Sequence, residues 1–285
     1  MDFIQQAIQR ARSARAETGE AGATAAPASG PAPQDLPDGS RERADLWAAL
    51  PELPLSEKAL EHARIVAHRG GGPAAPFDMM RTKLLHRMRA HGWRRLAITS
   101  PGPGCGKTMT SLNLAFSLAR QAELHTMLVE LDLRKPSISQ VMGLGTELQF
   151  SEVLEGRAAP ETHLRRRGAN LAFALSARPV ARSAELLQGV EAARLLDAVE
   201  AYYAPDVMIF DMPPMLVSDD ALAFLDQVDC VLLMGAAGQT RIEDFRRCEA
   251  DLSARSNLLG TVLNKCRYLD RSDSYGYGYS YGPKG

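Results

Sequence analysis

Leu96-Ala-Ile-Thr99-Ser-Pro101-Gly-Pro-Gly-Cys-Gly-Lys107-Thr108-Met-Thr-Ser-Leu-Asn-Leu-Ala-Phe-Ser-Leu-Ala-Arg120 sets a short apolar run, a glycine-rich turn and an Ala/Leu-rich stretch end to end. The spacing predicts a strand over 96–99, a tight loop, and a helix over 108–120. Gly102, Gly104 and Gly106 leave room in that loop for backbone amides to turn inward toward phosphate oxygens, and Pro103 and Cys105 share the loop. The Lys107 ammonium is placed to reach terminal phosphates and the Thr108 hydroxyl to ligate magnesium, with Met109 next in the nucleotide-binding run. A strict loop of this kind has glycine six positions before the lysine, where this chain has Pro101. The competing reading is a chance Gly-Lys-Thr before a helix, and the strand in front of it argues against that.

Outward from the loop, apolar segments alternate in length and period. Strands are expected over 126–131, 171–175, 207–210, 229–234 and 258–264, with helices near 151–156 and over 184–201, 219–226 and 241–254. Val207-Met-Ile-Phe210 and Cys230-Val-Leu-Leu233 are apolar on both faces, as in a parallel sheet covered by helices. Right-handed crossovers then put ligands at the carboxyl ends of the strands. The fold class is α/β, a P-loop NTPase with a mostly parallel sheet flanked by helices.

Two strand ends supply carboxylates for a magnesium site. Asp211 follows four apolar residues and precedes Met212-Pro213-Pro214, the position that holds magnesium directly or through water. Glu130 and Asp132 stand two apart, on one side if the strand persists, so that one orients the metal while the other accepts a proton. Asp132 therefore joins Thr108 and Asp211 as a metal candidate, and Lys107, Glu130, Asp132 and Asp211 are the catalytic candidates. Arg134 and Lys135 pair with phosphate or with the acids, or cap a surface strand. Asn264 follows the last strand and either reads the adenine edge or caps a loop; Asp220 and Thr240 read as switch contacts or helix caps.

The 285 residues carry a formal charge of −1, which excludes a bulk field for nucleic acid; Arg94-Arg95 and Arg165-Arg166-Arg167 remain candidate phosphate contacts or solvated faces. Four cysteines without paired spacing fit neither a disulfide scaffold nor a zinc site and suit a reducing cytosol. No segment reaches about 18 consecutive apolar residues. Residues 1–16 form an amphipathic helix that touches a membrane surface, docks a partner or is a weakly folded start; 17–45 is a flexible linker rich in Ala, Gly, Pro and Ser; 46–75 is a partly helical lead-in; 76–267 is the phosphate-loop domain. Residues 268–285 are a flexible tail in which Tyr275, Tyr277, Tyr279 and Tyr281 alternate with small residues that leave nothing to bury.

These motifs together resemble the bacterial tyrosine kinases of polysaccharide co-polymerase systems, over about Pro76 to Arg267 plus the tail. The residues that carry the resemblance are the proline-containing loop Pro103-Gly104-Cys105-Gly106-Lys107-Thr108, the acidic motif Asp132-Leu133-Arg134-Lys135-Pro136, and Asp211-Met212-Pro213-Pro214. The resemblance implies a deviant Walker A, MinD-like subclass of the fold, distinguished from partition and cell-division ATPases by the missing early lysine at Pro101-Gly102. It implies ATP and Mg2+ as cofactors and autophosphorylation of Tyr275, Tyr277, Tyr279 and Tyr281, with Tyr268 as a further candidate, in trans within a homo-oligomer. Further implications are a transmembrane chain-length regulator as activator, a cognate tyrosine phosphatase, control of exopolysaccharide or capsule synthesis and export, and a cytoplasmic place at the inner membrane through the partner. Two motifs depart from the family pattern. Glu130 stands where Asp is usual, and the helix before the first strand matches the family's Glu, Arg, Arg subunit contact with Ala75, Asp78 and Arg81, so Arg81 is the one retained contact candidate and a non-standard ring is expected. The alternatives are an ATP-dependent assembly switch of an export complex with little kinase activity, and a protein that merely retains nucleotide.

Overall fold

The computed structural model describes residues 38–266; residues 1–37, Tyr268 and the tail tyrosines Tyr275, Tyr277, Tyr279 and Tyr281 lie outside the described residues. Its centre is a seven-stranded sheet in the order β3-β4-β2-β5-β1-β6-β7. The strands are β1 Arg95–Thr99, β2 Thr126–Glu130, β3 Leu164–Arg167, β4 Leu171–Ala174, β5 Val207–Asp211, β6 Cys230–Ala236 and β7 Asn257–Asn264. All neighbours are parallel except β3 and β4. Every residue of β2, β4, β5 and β6 is buried, as strands covered on both faces require.

Successive side chains of each strand enter opposite cores. Leu96 and Ile98 pack with Leu84, Leu85 and Met88 of α3 (Ala75–His91) and with Leu112 and Phe116 of α4 (Lys107–Ala119), whereas Ala97 packs on the other face with Leu196 and Val199. Two short helices lie before α3: α1 Asp38–Ala49 and α2 Glu57–His62. The register sets Asp211 opposite both Ile98 and Glu130, so the carboxyl ends of β1, β5 and β2 open side by side next to the loop between β1 and α4.

The linker and lead-in boundaries change. α1 begins inside the expected linker, and its Trp47 is fully buried, donating its indole N–H to the Tyr203 carbonyl at 2.8 Å. Leu53, Leu60 and Ile65 of the lead-in belong to the same core as α3 and α4, so 46–75 is part of the phosphate-loop body. Trp47→Ala is expected to cost about 3–5 kcal/mol in urea unfolding, through the lost ring volume and a carbonyl left unpaired; a change below 1 kcal/mol would show that α1 is only loosely attached.

The arginine clusters also find structural work. Arg165-Arg166-Arg167 forms most of β3, an edge strand that periodicity did not reveal because its outward residues are charged. Arg166 pairs with Glu52 and donates to the Leu50 carbonyl at 2.9 Å, while Arg167 approaches Glu52 at 3.6 Å. The backbone N–H groups of Arg94 and Arg95 donate to Asp229 Oδ2 at 2.7 and 2.8 Å, and the Arg95 guanidinium meets Asp197 and Glu200 at the end of the sheet away from the phosphate loop. The single helix expected over 184–201 is two, Ser183–Gln188 and Val190–Tyr203, broken at Gly189, whose backbone is extended. Among the described residues no helix is long and apolar enough to cross a membrane.

Candidate active site

The loop after β1 is bent at two left-handed glycines, Gly104 at φ +75° and Gly106 at φ +92°, and α4 starts directly at Lys107. It is tied at both ends. Ser100 Oγ donates to the Gly102 carbonyl at 2.7 Å and Thr99 Oγ1 to the Pro213 carbonyl at 2.8 Å. Met215 and Leu216 donate their N–H groups to the Ser100 and Pro101 carbonyls at 2.8 and 3.1 Å, so the Asp211-Met-Pro-Pro run and the loop brace each other.

Asn264 holds the far side of this loop. Its Nδ2 donates to the Cys105 carbonyl at 2.9 Å and its Oδ1 accepts from Lys265 N at 2.8 Å. The amide expected at an adenine edge is thus committed to the loop itself, the capping alternative. A Cβ at Gly106 would stand 2.2 Å from Asn264 Nδ2. Gly106→Ala is therefore expected to displace Asn264, strain a left-handed residue and weaken ATP binding at least about tenfold, measured by titration with a fluorescent nucleotide; wild-type affinity would show that the loop opens freely.

Asp211 is buried, with Ser111 Oγ donating to Oδ1 at 3.1 Å, and its Oδ2 has no hydrogen-bond partner among the described residues. Burial pushes its pKa up to about 6, opposed by the Lys107 charge and the hydroxyls of Thr108 and Ser111. Lys107, 7% exposed, also acts on Asp132, whose pKa burial raises against the Lys107 charge. One ammonium thus faces two carboxylates. A buried, unpaired carboxylate oxygen beside the Thr108 hydroxyl and the half-buried Asp132 carboxylate is a hard-oxygen donor set that fits a divalent cation with water in its remaining positions.

The pairing of Glu130 with Asp132 on one side of a strand does not hold. β2 ends at Glu130, and Leu131 and Asp132 both turn their N–H groups onto the Asp211 carbonyl, at 2.9 and 3.0 Å, so the alternation stops. The Glu130 side chain is fully buried. Its Oε1 accepts from Ser137 N at 2.6 Å and Ile138 N at 2.8 Å, and its Oε2 from Ser176 N at 3.2 Å. Burial pushes its pKa up to about 7, with the backbone donors at Ile138 and Ser137 opposing and the Asp211 charge adding to the rise. A carboxylate so enclosed is not poised for an incoming hydroxyl.

The remaining candidates divide. Arg134 pairs with acids other than the expected Glu130 and Asp132: its Nε lies 2.5 Å from Asp220 Oδ2 and its guanidinium 3.3 Å from Asp219, replacing the helix-cap reading of Asp220. Thr240 Oγ1 accepts from Ala236 N at 2.8 Å and sits 3.5 Å from the Cys105 thiol, closing the turn after β6. Arg81 turns onto its own chain, donating to the Ser117 carbonyl at 2.8 Å, with Asp78 between it and Arg120. Sequence reasoning missed Ser137, whose Oγ lies 3.4 Å from Thr108 Oγ1. Nothing in its local sequence marks it, because a loop of six residues separates it from β2.

The family described as ParA: NUBPL iron-transfer P-loop NTPase matches residues 93–269. The tyrosine-protein kinase YwqD of Bacillus subtilis is 32% identical over 193 residues, 67% of this chain and 78% of that protein. The tyrosine-protein kinase CpsD of Streptococcus pneumoniae serotype 4 is 28% identical over 223 residues, 76% of this chain and 91% of the relative. Among solved structures, the kinase domain of Escherichia coli tyrosine kinase ETK superposes with a TM-score of 0.63 at 25% identity, covering 74% of this chain and 82% of that one.

Proposed function

From the premise that the chain belongs to the bacterial tyrosine kinases, ATP-binding enzymes of the ParA/MinD-like, deviant Walker A P-loop fold, we propose that it transfers the ATP γ-phosphoryl group to Tyr275, Tyr277, Tyr279 and Tyr281. The observation that carries the reading is the Lys107 charge acting on both Asp132 and the buried Asp211, whose Oδ2 has no hydrogen-bond partner among the described residues. Loop amides and Lys107 hold the phosphates and align the γ-phosphorus. Thr108, Asp211 and Asp132 are the residues that would hold magnesium, which when bound offsets charge on the phosphate oxygens. A tyrosine hydroxyl has a pKa of about 10 and gains from a nearby carboxylate. Asp132, half-buried and next to Lys107, is the acceptor for that proton. The phenolic oxygen forms the new bond to phosphorus as the bond to the β-phosphate oxygen breaks, leaving ADP.

In this reading the tail of one subunit enters the site of another in a homo-oligomer. A transmembrane chain-length regulator activates the enzyme and holds it at the cytoplasmic face of the inner membrane, a tyrosine phosphatase reverses the modification, and the output is control of exopolysaccharide or capsule synthesis and export. A second reading, an ATP-driven assembly switch, draws on two observations: Glu130 is enclosed by backbone donors, and Arg81 is bound within its own chain. Mass spectrometry of the tail after incubation with magnesium and ATP, with and without the cytoplasmic segment of the regulator, separates the two. The kinase reading expects phosphate on Tyr275 to Tyr281; ATP hydrolysis with an unmodified tail in both mixtures would leave the switch.

A further inference from the structure

Glu130 and Ser137 carry a second consequence for the same site, which rests on the magnesium–nucleotide reading above. We propose that Ser137 is an additional magnesium-shell residue, its hydroxyl sharing the cation or a cation-bound water with Thr108, and that Glu130 is the positioning residue that holds it there.

Three contacts carry this. Ser137 Oγ and Thr108 Oγ1 stand 3.4 Å apart. Neighbouring oxygens around a magnesium ion lie about 3 Å apart, given metal–oxygen distances of about 2.0–2.1 Å in an octahedron, so the two hydroxyls are spaced for one shell. The Asp211 Oδ2, buried and without a partner among the described residues, supplies an anionic oxygen in the same neighbourhood, since the Thr108 hydroxyl acts on the Asp211 carboxylate. The segment after β2 then leaves the sheet through Asp132 and Pro136 and is fastened on its return to the site by Glu130 Oε1, which accepts from both Ser137 N and Ile138 N, at 2.6 and 2.8 Å. Its second oxygen fastens the same carboxylate to Ser176 N at 3.2 Å. One buried side chain thus anchors the return of the loop to the ends of β2 and β4. The extra methylene of glutamate relative to aspartate supplies reach toward those backbone donors.

The test reads magnesium rather than turnover. A fluorescent ADP analogue is titrated into the full-length chain with and without Mg2+, and the ratio of the two dissociation constants is the magnesium gain. Thr108→Ala is expected to abolish the gain. Ser137→Ala is expected to cut it about tenfold, the lower end for loss of a supporting metal contact, while leaving magnesium-free binding unchanged; Ser137→Thr restores it. Glu130→Gln keeps one acceptor oxygen for Ser137 N and Ile138 N and is expected to hold the gain within about threefold of wild type. Glu130→Ala, which removes that acceptor, falls to the level of Ser137→Ala, and the double variant falls no further. An unchanged gain in Ser137→Ala, with Thr108→Ala still defective, overturns the proposal and leaves the phosphate-loop reading standing. A gain that survives in Thr108→Ala as well overturns both. Equal losses with and without Mg2+ in Ser137→Ala would make the hydroxyl a loop-packing group and also overturn the proposal, as would additive losses in the double variant.

Discussion

Lys107→Met lowers transfer of phosphate to the tail by about a thousandfold, the upper end of what loss of one preorganised charge donor costs, while the fold survives. The lysine opens α4 at the end of a loop bent by Gly104 and Gly106, and it is 7% exposed, so little water screens it. In such a site an ammonium aimed at developing negative charge is hard to replace: the loop amides bind phosphate but carry no net charge, and of the neighbouring cations Arg134 is held by Asp219 and Asp220 while Lys135 is exposed on the segment after β2. Methionine keeps the length and apolar stem of lysine and packs against the same helix start, so cavity formation does not confuse the result. The loss also acts on the acids, because the Lys107 charge restrains the upward shift of both Asp211 and Asp132. Removing it moves both carboxyls toward the protonated form at neutral pH, and a protonated Asp132 no longer accepts the tyrosine proton. Radiolabelled ATP and gel autoradiography measure the transfer, and thermal unfolding checks the fold. Residual activity above a tenth of wild type would mean that the phosphates are held elsewhere.

Asp211→Asn separates function from stability in the opposite directions that a functional site predicts. Transfer falls by about a hundredfold or more because a neutral amide is a poor partner for magnesium. The apo protein becomes more stable. Asp211 has an ordinary pKa of 3.8 that the fold raises to about 6, so the folded chain binds a proton that the unfolded chain has released. Stability therefore declines as pH rises from about 4 and levels off above about 6, where the buried charge costs about 3 kcal/mol. Asparagine escapes that cost: the expected rise in melting temperature is several degrees at pH 7.5 and smaller at pH 5. Magnesium added to the nucleotide-saturated protein stabilises wild type further and leaves the nucleotide-saturated variant nearly unmoved. A variant that melts below wild type at pH 7.5 would mean that Asp211 is held by contacts favouring its charged form.

The sheet and its loop were legible because both rest on local rules. Apolar runs of four or five residues followed by Gly-Lys-Thr, or by Asp and then Pro-Pro, place β1, β5 and the phosphate loop without tertiary information. β3 was not legible, since three consecutive arginines carry no apolar alternation and become a strand through antiparallel pairing with β4 and backbone bonds to Pro51 and Leu53, with Glu52 and the Leu50 carbonyl receiving the Arg166 side chain. The same holds for Glu130. Residue type and spacing announced a second acid for catalysis, but its partners, Ser137, Ile138 and Ser176, come from loops that the sequence does not bring together. Asn264 and Arg81 belong with it, each carrying a polar group suited to a ligand or a neighbouring subunit and each making a hydrogen bond within the chain that spacing does not announce. α1 was hidden by composition. Ala, Gly, Pro and Ser dominate the segment before it, and one buried tryptophan marks where the folded body begins.

Transfer between two chains puts the account at greatest risk. Lys107→Met with an intact tail is mixed with a chain whose phosphate loop is intact but whose Tyr275, Tyr277, Tyr279 and Tyr281 are replaced by Phe, in the presence of magnesium, ATP and the regulator's cytoplasmic segment. Mass spectrometry then reads the Lys107→Met tail. The account predicts phosphate on those four tyrosines that depends on the second chain. An unmodified tail, while a wild-type control in the same mixture consumes ATP, would contradict it.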